Sequence, residues 1–162
     1  MNTHRAELVQ ILATTHATLL RLVEGATDAA LDARPTPEDW SVREILAHLV
    51  DDEMFVMRLR LERLIKEDRP RLTPHDEHVW YVSRNTSRDA LRELLADFSV
   101  QRAASLGIIA LLRESDWARA GYHPEIGVLT ADEWLTHWVE HDATHLGQIE
   151  TTLTRYSAHA PH

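Results

Sequence analysis

Apolar residues along this chain recur every three to four positions over four separate stretches. In residues 3–24, "THRAELVQILATTHATLLRLVE", Leu8, Ile11, Leu12, Leu19 and Leu22 share one helical face, and Gly25 supplies a stop signal. The following "ATDAALDARPTPEDW" reads as a connection. A second helix opens at "WSVREILAHLV", where Ser41 and Glu44 have the spacing of a capping box, each side chain satisfying an orphan backbone N–H. It runs to about Lys66, ahead of "EDRPRLTP", whose prolines bar continuation. Residues 67–85 read as a polar loop. The third helix is predicted from Thr86–Ser87 through "LRELLADFSVQRAASLGIIALLRE". A second long loop, "SDWARAGYHPEIGVLT", precedes the last helix, which opens on another capping box, Thr130 with Glu133.

Four amphipathic helices of roughly 20–25 residues predict an all-α fold, a four-helix bundle. Residues 1–156 form one domain in this reading, and 157–162 a flexible C-terminal tail. A faint internal repeat accompanies the pattern. "SVREILAHLVDDE" (41–53) and "TADEWLTHWVEHD" (130–142) align without gaps, matching Glu44 with Glu133 and His48 with His137. That suits a bundle of two related helix pairs, although two capped helices could also share it by chance.

Composition narrows the function. At 162 residues the chain suffices for one domain with a sizeable core. A formal charge of −9 argues against nucleic-acid binding, since no basic stripe is present to neutralise phosphates. The absence of cysteine excludes disulfides, thiolate zinc sites and cysteine nucleophiles. No apolar run approaches the roughly 20 residues that cross a bilayer, and "MNTHRAELVQ" lacks the apolar centre of a signal peptide. The expectation is a cytoplasmic protein with no membrane partner.

The chemistry concentrates in "HDATH", residues 141–145. On the last helix Leu135, Trp138, Val139, Leu146, Ile149 and Leu153 form the core stripe, and His141 and His145 lie one turn apart on its flank, near Trp134 and Gln148. Two such imidazoles can reach one metal ion, and they can equally cap the edge of a core. The motif differs from the zinc-protease H-E-x-x-H by an aspartate, and the protease reading lacks a third ligand downstream. His159 and His162 fall in the tail, while His137 lies eight residues from His145, about 12 Å of helical rise. Ligands of one ion converge far more closely. The third ligand must come from upstream. His48 is the best candidate, because it flanks the second helix's stripe (Val42, Ile45, Leu46, Leu49, Val56) as the other two flank theirs. Asp52, one turn on, could orient an imidazole or approach the metal through water.

"W-S-x-x-E-I-L-A-H-L" followed after a long gap by "H-D-A-T-H-L-G-Q-I" resembles the DinB-like (YfiT-like) superfamily of metal-dependent four-helix-bundle proteins. The resemblance implies an up-down-down-up bundle, often a homodimer. It also implies a divalent metal ion, zinc or nickel, held by three histidines, here His48, His141 and His145. Relatives of this kind include thiol-dependent S-transferases and proteins classed as hydrolases. With no cysteine in the chain, a low-molecular-weight thiol would have to arrive as a cosubstrate. The expected function is therefore a metal-dependent enzyme of S-transferase or hydrolase type acting on a small-molecule substrate. The alternative is a non-catalytic dimeric bundle with a structural or empty metal site.

Other residues carry weaker expectations. His75, Asp76 and His78 form a second possible ligand cluster, though a histidine pair on an acidic loop is more often simply solvated. Trp80, Tyr81, Trp117, Tyr122 and His123 could line a substrate mouth or close the ends of the core. Glu53 and Asp142 sit at the centres of apolar stripes, where buried carboxylates need partners. They could hold Trp or Tyr, face a dimer contact or support the metal site, with Asp142 also conceivable as a general base. Trp40 reads as a hydrophobic staple, and Gln148 as either a substrate contact or a packing residue. "GYHPEIG" reads as a turn-rich linker.

Overall fold

The computed structural model describes residues 3–159. Helix α1 (Thr3–Leu22) leads through Gly25, at φ +71°, and the short α2 (Asp28–Asp32) to the second long helix. That helix is α3 (Val42–Asp52), a π-helical turn (Glu53–Arg58) and α4 (Leu59–Lys66) in direct succession. Both arms of the Ser41–Glu44 capping box are present. Helix α5 (Glu77–Ser83) and a 3₁₀ turn precede α6 (Leu91–Ala110), and a β-hairpin, β1 (Ala120–His123) with β2 (Gly127–Thr130), leads into α7 (Ala131–His159). The predicted Thr130–Glu133 box closes at 2.7 Å and 3.2 Å.

The bundle follows from which apolar faces meet. One core cluster joins Leu8 and Leu12 of α1 to Met57, Leu61 and Leu64, to Ile109 of α6 and to Trp134 and Trp138 of α7. The other joins Leu19 to Ile45 and Leu49, to Leu94 and Phe98, and to Ile149. The starts of α1 and α7 thus share one end with the finishes of the 42–66 helix and α6. The order is up-down-down-up, as the resemblance implied. Helix α1 packs against α6 and α7, and so does α3, which places α1 and α3 on opposite corners.

A buried polar layer lies where the two clusters meet. Arg102 donates to Glu53 Oε1 and Oε2 at 2.9 and 2.8 Å, to Asp142 Oδ2 at 2.7 Å and to the Leu12 carbonyl at 2.7 Å. Trp138 Nε1 donates to Glu53 Oε2 at 3.1 Å, and Thr15 Oγ1 to Asp142 Oδ2 at 2.7 Å. Every stripe-centre carboxylate therefore has a partner, as burial demands. One guanidinium ties α6 to the other three long helices.

The structure departs from the pattern-based expectations at six places. The connection after Gly25 contains α2, and a 3₁₀ turn (Thr86–Arg88) stands where the third helix was expected to open, α6 itself starting at Leu91. The 67–85 loop contains α5, capped by Asp76 on the Val79 N–H at 2.9 Å. The 42–66 helix is interrupted by its π turn, which periodicity alone does not reveal. Helix α6 stops at Ala110 rather than near Glu114, because Asp116 captures the Arg113 N–H and builds a 3₁₀ turn. "GYHPEIG" is the core of the hairpin: Gly127 turns at φ +92°, and a Cβ on Gly121 would lie 2.8 Å from the Pro70 carbonyl oxygen. Of the expected tail, residues 157–159 continue α7, and 160–162 lie outside the described residues.

Candidate metal centre

The Ser41 cap starts α3 so that His48 and Asp52, one turn apart, both point into the bundle, where they are 0% and 4% exposed. Across from them α7 presents His141 and His145, again one turn apart. The two helices pack against each other, and the three rings converge. His48 Nε2 and His141 Nε2 are 3.2 Å apart, and the His145 ring centroid lies 4.7 Å from that of His48 and 4.5 Å from that of His141. One ligand atom from each falls within 4.8 Å of the others. Nitrogens bound at about 2.0–2.1 Å to a common ion stand roughly 3.0–3.4 Å apart, so the closest pair already has ligand spacing.

One ring is steered from its far side, and a carboxylate stands beside the other two. His145 Nδ1 meets Gln148 Oε1 at 2.8 Å, which makes Nδ1 the protonated nitrogen and turns the lone pair of Nε2 towards its neighbours. His48 Nδ1 faces Asp52 Oδ1 at 3.5 Å, and Asp52 Oδ2 stands 3.6 Å from His141 Nε2. Trp40 and Trp80 cover His48 at ring separations of 5.0 and 5.2 Å, and Trp80 is fixed by donating from Nε1 to Asp51 at 2.7 Å.

The electrostatics suit one added positive charge. Burial drives His48 down to about 3 against the pull of Asp52, and burial followed by the charge on His141 lowers His145 to about 4. At His141 burial also works downward, but the carboxylates of Asp142 and Asp52 outweigh it and push the ring up to about 9. Burial would raise Asp52, yet the surrounding imidazoles hold it below the usual carboxylate range. A divalent ion would need all three imidazoles neutral, so the proton that Asp142 and Asp52 hold on His141 would leave on binding. Three histidines with no cysteine are a nitrogen donor set suited to a divalent metal ion.

The sequence pattern of the DinB superfamily matches residues 11–149. The chain belongs to the DinB superfamily. YfiT of Bacillus subtilis (strain 168), to which a metal-dependent hydrolase activity is ascribed, is 27% identical to this DinB protein over 148 residues, spanning 91% of this chain and 82% of YfiT. A protein of Oceanobacillus iheyensis with the same ascribed activity is 27% identical over 136 residues, 77% of this chain and 72% of its own. A solved structure of YfiT, described as an unusual four-helix bundle topology, superposes with a TM-score of 0.86 at 25% identity, covering 99% of this chain and 91% of that one.

The remaining residues expected near the site divide. Gln148, Asp52 and Trp80 lie at it. Asp142 touches its edge, with Oδ1 3.8 Å from His141 Nδ1, while Oδ2 accepts from Arg102 and Thr15 in the polar layer of the core. Tyr122 belongs to the hairpin, where its ring lies under the Arg71 guanidinium at 5.2 Å. Trp117 is buried in the core beneath Arg5. His75 joins the cluster more closely than its loop position suggests, with Nε2 3.2 Å from Asp52 Oδ1. Only its proximity to other ligand-type residues in the loop could have signalled this. Trp40, read as a staple, also roofs His48.

An open groove of about 590 Å³ runs past the centre. His145, Gln148 and Trp40 are among its lining, together with the charged Glu38, Asp39, Glu77 and Arg155.

Proposed function

We propose that this DinB protein binds one divalent metal ion, zinc or nickel, through His48, His141 and His145, and hydrolyses a small molecule that approaches along the groove. The observation that carries the reading is the convergence of three imidazoles, the closest nitrogens 3.2 Å apart, at a groove whose wall includes one of them. A divalent ion with three imidazole ligands and an open side supplies Lewis acidity and activates water at neutral pH. The protein's own part is positional. Gln148 holds the His145 ring in the tautomer that offers Nε2, the Asp52 carboxylate beside His48 and His141 balances charge, and Trp40 with Trp80 keeps bulk water from His48.

The groove also bears on the reaction class. Three carboxylates and one guanidinium line it, an unfavourable approach for an anionic low-molecular-weight thiol. Hydrolysis is therefore favoured over thiol transfer. A wholly structural ion would be enclosed, whereas His145 borders open space.

The test is activity on a panel of small esters and amides, using chelator-stripped protein reloaded with zinc or nickel. The reading predicts turnover that returns with metal and is absent from His145→Ala. Full activity in the stripped protein, or a melting temperature that collapses with metal removal while no substrate turns over, would favour a structural site instead.

A further inference from the structure

Three buried atoms beside the histidine centre are left over by the three-histidine arrangement. His48 Nδ1, Asp52 Oδ1 and His75 Nε2 have no hydrogen-bond partner. His48 Nδ1 and Asp52 Oδ1 are 3.5 Å apart, and His75 Nε2 is 3.2 Å from the same oxygen. His48, Asp52 and His75 each offer a ligand atom within 4.8 Å of the others. Buried polar atoms are seldom left unpartnered, and a group of three facing one another calls for something between them.

The spacing says what fits. An N–H···O bond needs about 2.7–3.2 Å, so the 3.5 Å separation is too long for one. It matches the edge between two ligands that each sit about 2.0–2.2 Å from a shared ion. Two imidazoles and a carboxylate are a familiar nitrogen and oxygen set for zinc or copper(II). His75 is held in place by the loop around it: Arg60 Nη2 donates to the Thr73 carbonyl at 2.6 Å, and the Leu72 N–H donates to the Tyr122 carbonyl at 2.8 Å.

We infer that His48, Asp52 and His75 form a second divalent-cation site, and that His48 bridges two ions, with Nε2 towards His141 and His145 and Nδ1 towards Asp52 and His75. The bridge rests on the three-histidine reading above. The second site itself does not. Binding through both ring nitrogens requires His48 to release its remaining N–H proton to solvent. The resulting imidazolate and the Asp52 carboxylate then place two negative charges against the four positive charges of the ions. The second ion would also pin the His75 loop, and with it Glu77 of the groove lining, to α3.

The test is zinc stoichiometry by equilibrium dialysis of the chelator-stripped full chain, with metal read by mass spectrometry. The inference predicts two equivalents in the unmodified protein, one in His75→Ala, one in the shape-preserving Asp52→Asn and one in His145→Ala. Circular dichroism confirms that each variant is folded. Loaded with copper(II), the protein should show an electron paramagnetic resonance signal at least several-fold below its copper content, because bridged ions couple, and His75→Ala should restore it. One equivalent in the unmodified protein, unchanged in His75→Ala but lost in His145→Ala, overturns the second site and leaves the first. Two equivalents that persist in His75→Ala also overturn it. No zinc at all overturns both.

Discussion

Arg102→Met tests whether the polar layer between the two core clusters is an interdependent unit. The wild-type guanidinium is 3% exposed and makes four hydrogen bonds of 2.7–2.9 Å to Glu53, Asp142 and Leu12. Methionine fills similar volume but leaves two carboxylates, each 2% exposed, without their cation. Removing one partner of a buried ion pair costs about 3–5 kcal/mol. Against a total of about 5–15 kcal/mol for a domain, that moves the urea midpoint substantially. Adding Glu53→Gln and Asp142→Asn neutralises the stranded groups and should recover most of the loss. The pH dependence should also reverse. In the wild type burial pushes Asp142 upward, but His141, Arg102 and Thr15 outweigh it and hold the carboxyl below its ordinary range. Its contribution is therefore present above about pH 4 and lost as pH falls through the folded value. Without the guanidinium, burial is set to raise that carboxyl, so the variant should lose stability as pH rises above about 4. Urea unfolding of metal-free protein at pH 5 and pH 7 should show the larger deficit at pH 7. A loss below about 1 kcal/mol, or no recovery in the triple variant, would refute the reasoning.

Three further outcomes follow from the same contacts. Gln148→Leu removes the acceptor that sets His145 and should weaken metal binding by about 10–100-fold, measured by competition with a chelating dye, while Gln148→Glu keeps an acceptor and should retain more of the affinity. Metal-free protein should be most stable near pH 6.5. Below that value the unfolded chain protonates His48 and His145 while the folded one resists until about 3 and 4. Above it the raised His141 progressively loses its contribution as pH climbs towards about 9, so thermal melts across pH 4–9 in chelator should fall on both sides. Gly121→Ala forces a Cβ to within 2.8 Å of the Pro70 carbonyl and 2.9 Å of Leu64 Cδ2, and should cost about 1–3 kcal/mol in urea unfolding.

What the sequence made legible was mostly local or periodic. Ser41 with Glu44 and Thr130 with Glu133 announce helix starts because the whole interaction lies within four residues. His48, His141 and His145 were identifiable because each flanks a stripe, and a flank position fixes where a side chain points once the helices are paired. Arg102 was not identifiable, since an arginine on a helix ordinarily reads as solvent-facing, and only the packing of α1, α3 and α7 around it shows otherwise. His75 was legible as a candidate ligand, but grouped with its loop neighbours Asp76 and His78; Asp52 and His48, which it meets, come from another element and are reached through a loop fixed by backbone contacts to Tyr122. The hairpin was hidden because each strand has four residues, too few for an alternation to register, and its requirement for Gly121 comes from a tertiary approach.

The most direct test of the central claim is the metal content of tag-free protein by inductively coupled plasma mass spectrometry, alongside His48→Ala and His145→Ala. The account predicts bound zinc, nickel or another divalent ion at one equivalent or more. The ion nearest α7 should be lost in both variants, tying α3 and α7 to a single centre. A protein that stays free of metal after incubation with divalent ions, or that loses it in His145→Ala while His48→Ala retains it unchanged, would contradict the account and return the three histidines to the edge of the core.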